Sequence, residues 1–223
     1  MLHEEARWWR HIIGEIEPSL LYPMLNVGSS TEHFRTVEQP FIDLYLFRPA
    51  REKGQTVVHL DTKGDAGVDM VGDLTQESFR ETLVAMNFNS VFCSHLLEHV
   101  AEDTRAPICA AISQVLPKGG YLFVSCPRRF PYHPDPIDTR FRPTTEDLAA
   151  LFPGTFVVAS KEVFGGTYLQ RLWERPQRGA REIAKLFLPF YKPHYWLVNL
   201  GYFTYLFRHF SSSCVVLRKK VDA

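Results

Sequence analysis

His133 and Asp138 lie in a proline-rich stretch, Pro127 to Pro143, that also carries Arg128, Arg129, Asp135, Arg140 and Arg142. An imidazole titrates near neutral pH, so His133 is the first candidate for a catalytic general base, with Asp138 to orient it. Arg128 and Arg140 are candidates to hold a polar or anionic acceptor. The plainer reading pairs these charges with one another, Asp138 with Arg140 or Arg142. His99, in the string Leu97-Glu98-His99-Val100, is a rival base and a third candidate for acceptor contact. A histidine there can equally fix its own loop by bonding to backbone. Cys93 and Cys126 close apolar runs, where a thiol behaves as a small hydrophobe rather than a nucleophile.

A second constellation lies upstream. Tyr22 to Val27 runs into the small-residue turn Gly28-Ser29-Ser30-Thr31, and Gly28 would let a ligand approach the backbone closely. A dinucleotide fingerprint needs GxGxxG, so that pyrophosphate can rest on a bare helix N-terminus. The second and third glycines are missing, and Glu32 would set a like charge beside a phosphate, so a dinucleotide is disfavoured. Asp61 closes the apolar run Val57-Val58-His59-Leu60. A carboxylate there either accepts from both hydroxyls of a ribose or is a strand-end turn residue.

The elements that must position these groups follow from apolar periodicity. Glu4 to Glu17 carries Ala6, Trp9, Ile13 and Ile16 at helical spacing, and Pro18 stops it. Strands are predicted at 22–27, 56–61, 68–73, 90–94, 121–126, 155–164 and 213–218. Helices are predicted in 38–53, 76–86, 105–116 and 145–152, the last capped by Thr144. Short apolar runs alternating with helical patterns imply βαβ units and a largely parallel sheet covered on both faces.

Taken in order, several strings resemble the class I S-adenosylmethionine-dependent methyltransferases. Leu25-Asn26-Val27-Gly28-Ser29-Ser30, Val58-His59-Leu60-Asp61 and Gly67-Val68-Asp69-Met70-Val71-Gly72-Asp73-Leu74 are similar to that family's first three motifs. Phe92-Cys93-Ser94-His95-Leu96-Leu97-Glu98-His99-Val100 is similar to its fourth-strand motif, and Leu116-Pro117-Lys118-Gly119-Gly120 to the lead into its fifth strand. Phe130 to Thr144 resembles members associated with cell-surface polysaccharide pathways. The resemblance implies a doubly wound, mostly parallel seven-stranded α/β sheet with an antiparallel last strand and a helical insertion before it. The whole chain then reads as one domain: an N-terminal helix in 1–19, a core in 20–166 and 211–220, and an insertion in 167–210.

It also implies S-adenosylmethionine as cofactor, S-adenosylhomocysteine as product, and roles for residues. Asn26, Val27, Gly28, Ser29 and Ser30 would line the methionine and ribose, and Asp61 would hold the ribose hydroxyls. Asp73 and Leu74 would flank the adenine, and Ser94 and His95 would sit under the methionine. Methyl transfer is a displacement in which alignment does much of the work, with His133 removing a proton where the acceptor must lose one. The acceptor would be a small molecule, a sugar or a glycan precursor. A non-catalytic methyltransferase-like interaction module is the alternative, as is a peripheral membrane protein docking through residues 171–210.

Composition bounds these readings. The 223 residues carry 25 basic and 25 acidic side chains, 45% hydrophobic residues and no long charge run, as expected of a globular chain. Neutral balance argues against nucleic acid as a partner. The sum hides an asymmetry: residues 1–170 hold 15 basic and 22 acidic side chains, whereas 171–220 hold 10 basic and 2 acidic. Residues 171–210 also contain eleven of the thirty aromatics, which suits a membrane surface, an anionic acceptor, an oligomer contact or a helical lid. The four cysteines include no CxxC pair, so no metal site is expected, and a reduced, cytoplasmic setting is expected.

Overall fold

The computed structural model describes residues 1–133, 137–174, 176–185 and 193–221; Asp135 of the candidate loop lies outside them. Parallel pairing organises the first half of the chain. β1 (Met24–Val27) lies between β2 (Val57–Asp61) and β4 (Ser90–Ser94), β3 (Met70–Val71) flanks β2, and β5 (Tyr121–Arg129) flanks β4. β7 (His209–Lys219) then inserts antiparallel between β5 and β6 (Thr155–Thr167). The sheet order is β3-β2-β1-β4-β5-β7-β6. Strand order reverses between β1 and β4, and a crevice outside their carboxyl ends is where such sheets bind ligands.

Both sheet faces are covered. On one, Leu25, Val27, Val91, Cys93, Leu122 and Val124 meet α4 (Glu77–Ala85), α5 (Glu102–Val115) and α6 (Thr145–Ala150). On the other, Met24, Phe92, Phe123 and Val216 meet α1 (His3–Gly14) and the 34–52 segment. Trp9 of α1 is fully buried edge-on against Phe92 and Phe123, with ring centroids 5.6 and 5.8 Å away. Truncating such a residue costs about 3–5 kcal/mol, so α1 is anchored to the sheet. All four cysteines are free and buried.

Several boundaries differ from expectation for identifiable reasons. α1 ends at Gly14, and Pro18 starts rather than stops a helix: it is the first residue of α2 (Pro18–Leu21), where a missing N–H costs nothing. The predicted 38–53 helix is instead two π-helical turns, Phe34–Glu38 and Asp43–Phe47, followed by α3 (Arg48–Glu52). Asp43 is buried there and binds both Arg48 and Arg51, so side-chain pairing shapes this stretch. The third strand shrinks to two residues, α5 begins at Glu102, and β5, β6 and β7 run longer because they pair with one another. Thr144 caps α6 as predicted, accepting from the Asp147 N–H.

Between β6 and β7 come α7 (Tyr168–Glu174), α8 (Pro176–Lys185) and α9 (Pro193–Phe203). Tyr168 and Phe210 are buried with Leu2, tying this segment to the N-terminus. No helix among the described residues is long and apolar enough to cross a membrane.

Candidate functional site

The carboxyl ends of β1, β2 and β3 form the first part of the site. Gly28 takes a left-handed backbone, with φ +68°, and Ser30 does too, with φ 55°. The Ser30 N–H donates to Asp61 Oδ2 at 2.9 Å, and the Lys63 N–H to Oδ1 at 3.3 Å. Each carboxylate oxygen offers two lone-pair sites, so each keeps one for a further donor. Arg35 is buried beneath and donates to the carbonyls of Ser29 at 2.8 Å, Ser30 at 2.6 Å and Gly67 at 2.6 Å. It thereby locks the β1 turn to the loop before β3. Asp73 lies two residues beyond β3, its Oδ1 accepting the Thr75 N–H, and Leu74 is buried beside it.

Two expected ligand contacts are used by the protein itself. A Cβ on Gly28 would lie 2.9 Å from Leu96 Cδ1, so the close approach that glycine permits is made by Leu96. Asn26 faces along the sheet, and its amide donates to His59 Nδ1 at 2.9 Å. Burial pushes the His59 pKa down to about 4, which keeps that nitrogen free to accept.

The ends of β4 and β5 form the second part. Ser94 and His95 are there, His95 with φ 55°, but their side chains face Glu5 of α1. Glu5 is fully buried; Oε2 meets His95 Nε2 at 2.8 Å, and Oε1 accepts from Ser125 at 2.7 Å and Trp9 Nε1 at 3.3 Å. His95 Nδ1 meets Glu98 Oε1 at 3.1 Å. Burial alone would lower the His95 pKa, yet Glu5 and Glu98 outweigh it and raise it. Burial would raise Glu5 and Glu98, yet His95 holds both below the usual carboxylate range. His95 is therefore an imidazolium between two carboxylates.

The loop after β5 supplies the third part. Asp138 is buried, and its Oδ2 faces the His133 Nδ1 at 3.1 Å and Arg142 Nη2 at 2.6 Å. Burial opposes ionisation of Asp138, but Arg142 and the His133 and Arg140 N–H groups hold its pKa below normal. Burial lowers the His133 pKa in turn. Arg128 donates to the Arg142 carbonyl at 2.7 Å, so it braces the loop. Arg140 lies over the Tyr132 ring, 5.1 Å from its centre, at a left-handed φ of 58°. A cleft of about 380 Å³ opens here, lined by Phe130, Tyr132, Arg140, Arg142, Thr204 and Tyr205. His99 lies below, its Nδ1 donating to the Ile137 carbonyl.

The fold thus brings Gly28, Ser29, Ser30 and Asp61 together at one edge, and His133 with Asp138 and His99 at another. Three residues of the site were not anticipated: Glu5, Arg35 and Glu98. For Glu5 a signal exists, because it shares a helical face with Leu2, Ala6 and Trp9, and an acid on an apolar stripe needs a buried partner. Among the described residues four non-glycine positions are left-handed, and Ser30, His95 and Arg140 are three of them. Backbone strain of this kind clusters at functional sites.

No protein-family model and no curated protein matches the chain. Solved structures do. A structure from Galdieria sulphuraria assigned as a sarcosine dimethylglycine methyltransferase superposes with a TM-score of 0.59 at 10% identity, covering 98% of this chain and 85% of that one. A coclaurine N-methyltransferase bound to N-methylheliamine and SAH superposes with a TM-score of 0.54 at 14% identity, covering 96% and 70%. At these identities the likeness is one of fold: the chain has the seven-stranded, Rossmann-like fold of methyltransferases.

Proposed function

We propose that the chain transfers a methyl group from S-adenosylmethionine to a small polar acceptor. The observation that carries this reading is Asp61, at the end of the strand next to β1, with one unused acceptor position on each oxygen and the Ser30 N–H holding it at 2.9 Å. That acceptor pair fits the two hydroxyls of a ribose, which donate to it. When bound, the cofactor supplies an electrophilic sulfonium methyl. Asp61 would hold the ribose, and Asp73 and Leu74 would flank the adenine. The Asn26–Ser30 turn would run beside the methionine, and Ser94 and His95 would contribute through backbone, since Glu5 engages their side chains.

The acceptor would enter the cleft between Phe130, Tyr132, Arg140 and Tyr205. Aromatic faces and guanidinium groups suit a sugar ring or an anionic sugar derivative, which supports a glycan precursor as acceptor. His133 serves as the base through Nε2, and Asp138 is a positioning residue that fixes its tautomer. Arg140 would contact the acceptor, with Arg128 bracing the loop and His99 beneath. Trp173, Leu197 and Phe207 are more than 60% exposed, which supports contact of the 171–210 segment with a membrane surface.

A second reading, a non-catalytic interaction module, is favoured by Leu96 lying over Gly28 and by Glu5 engaging Ser94 and His95. Turnover separates the two. The protein is incubated with methyl-labelled S-adenosylmethionine and a panel of sugars, sugar phosphates and small amines. Acceptor-dependent release of S-adenosylhomocysteine, lost in Asp61→Ala, supports the enzyme; release no faster than without protein for every acceptor contradicts it.

A further inference from the structure

Three lone-pair donors converge beside the acceptor cleft. A carboxylate oxygen of Glu98 and one ring nitrogen each of His99 and His133 lie within 4.8 Å of one another. Which ring nitrogens are open to a ligand follows from the partners of the others. His99 Nδ1 bonds to the Ile137 carbonyl, and His133 Nδ1 faces Asp138 Oδ2 at 3.1 Å and the Pro131 carbonyl at 3.4 Å. Carbonyls and carboxylates only accept, so both Nδ1 atoms carry a proton, and in the neutral rings both Nε2 atoms keep a lone pair. His99 Nε2 stands 3.8 Å from Glu98 Oε1, and the two rings meet edge to face with centroids 5.6 Å apart. With both rings neutral, two lone pairs and a carboxylate face one another with no hydrogen among them and repel unless a cation joins them.

A separate observation points the same way. The Glu98 side chain is fully buried, with Oε1 used by His95. Its Oε2 has no hydrogen-bond partner among the described residues. Leaving a buried carboxylate oxygen unsatisfied costs more than the roughly 1–3 kcal/mol of a neutral group, so a native fold is expected to provide it with something.

We propose that Glu98, His99 and His133 bind one divalent first-row transition-metal ion. Two imidazoles and a carboxylate suit a borderline ion such as Zn²⁺, whereas Mg²⁺ and Ca²⁺ prefer oxygen donors. A tetrahedral ion bound at about 2.0–2.1 Å sets its ligand atoms roughly 3.3 Å apart, so the cluster must tighten by about 1.5 Å. The His99 and His133 side chains are 19% and 23% exposed, which leaves their rings room to turn. Their Nδ1 partners, a carbonyl and a carboxylate, are the usual outer supports of metal-binding histidines. Three protein ligands leave a coordination position for water or an acceptor atom. Ion binding and the base role of His133 exclude one another, since both use Nε2; the test below therefore reads ion binding alone.

The test uses the full chain, stripped with a chelator and titrated with ZnCl₂ and separately with CoCl₂, with no adenosyl compound present. The expected result is one Zn²⁺ per chain with a Kd below about 10 µM. Co²⁺ should give the intense visible bands of an imidazole-bound, four- or five-coordinate ion, bleached by Zn²⁺. His99→Ala and His133→Ala should each weaken binding by about 10-fold or more. His11→Ala, on the exposed side of α1, should leave it unchanged. If either variant fails to fold by circular dichroism, the Co²⁺ spectrum of the wild type decides. No stoichiometric binding, a Co²⁺ spectrum like that of the hexaaquo ion, or binding that survives both histidine substitutions overturns the proposal. Each of these outcomes leaves S-adenosylhomocysteine binding, measured separately, free to succeed or fail.

Discussion

Glu5 and His95 meet at 2.8 Å across 90 residues of chain, joining the first helix to the end of the fourth strand. Glu5 is fully buried at this contact, which explains why Ser94 and His95 turn their side chains toward α1 rather than toward a ligand. The N-terminal helix is therefore part of the site's architecture.

Removing that carboxylate charge should be costly. Glu5→Gln leaves the His95 imidazolium short of one anion in a dry setting, and a loss of about 3 kcal/mol in urea unfolding is expected. A loss below about 0.5 kcal/mol, the range of ordinary surface substitutions, would contradict the buried ion pair.

Arg35 holds three carbonyls with one planar fork, a geometry that an ammonium does not reproduce. Arg35→Lys should cost about 2–3 kcal/mol in chemical denaturation. It should also loosen the 28–30 turn, seen as faster amide exchange at Ser29 and Ser30. Unchanged exchange would show that the turn is held by other means.

The pH dependence of stability should carry the mark of His59. Its pKa falls from 6.5 unfolded to about 4 folded, so between those values the unfolded chain binds more protons. Stability then rises with pH across that window and is lost as pH drops from about 6.5 toward 4, by up to about 3 kcal/mol. His59→Gln should flatten this part of the profile. An identical slope in the variant would assign the effect elsewhere.

Gly28 and Leu96 should be coupled. Gly28→Ala incurs both a left-handed φ and a Cβ 2.9 Å from Leu96 Cδ1, at a cost of about 1–3 kcal/mol. Only the steric part is relieved by Leu96→Ala, so Gly28→Ala should cost less in that background by about 0.5 kcal/mol or more. Equal cost in both backgrounds would mean that Leu96 yields freely.

Much of this fold is legible in the sequence because it is local. Short apolar runs locate the strands, and a carboxylate closing the second run locates Asp61 at the sheet edge. Ser30 and Asp61 are 31 residues apart, yet Ser30 lies in the turn after β1 and Asp61 ends β2, so pairing of β1 with β2 brings them together. Glu5 is different: its partners Ser94, His95 and Ser125 are 89 to 120 residues away, and only the docking of α1 on the sheet creates the contact. Arg35 is hidden for a similar reason, since the 34–52 segment folds around buried side-chain pairs and not along one helical face. Glu98 and His99 are adjacent in sequence, but His133 joins them only through the loop after β5.

The central claim, that Asp61 holds the ribose of an adenosyl cofactor, is tested most directly by calorimetric titration with S-adenosylhomocysteine. The wild type should bind one equivalent with a Kd between about 1 and 100 µM. Asp61→Asn should weaken it by about 10-fold or more, the value of a charged hydrogen bond. No binding at about 1 mM, or an affinity untouched by Asp61→Asn, would contradict it.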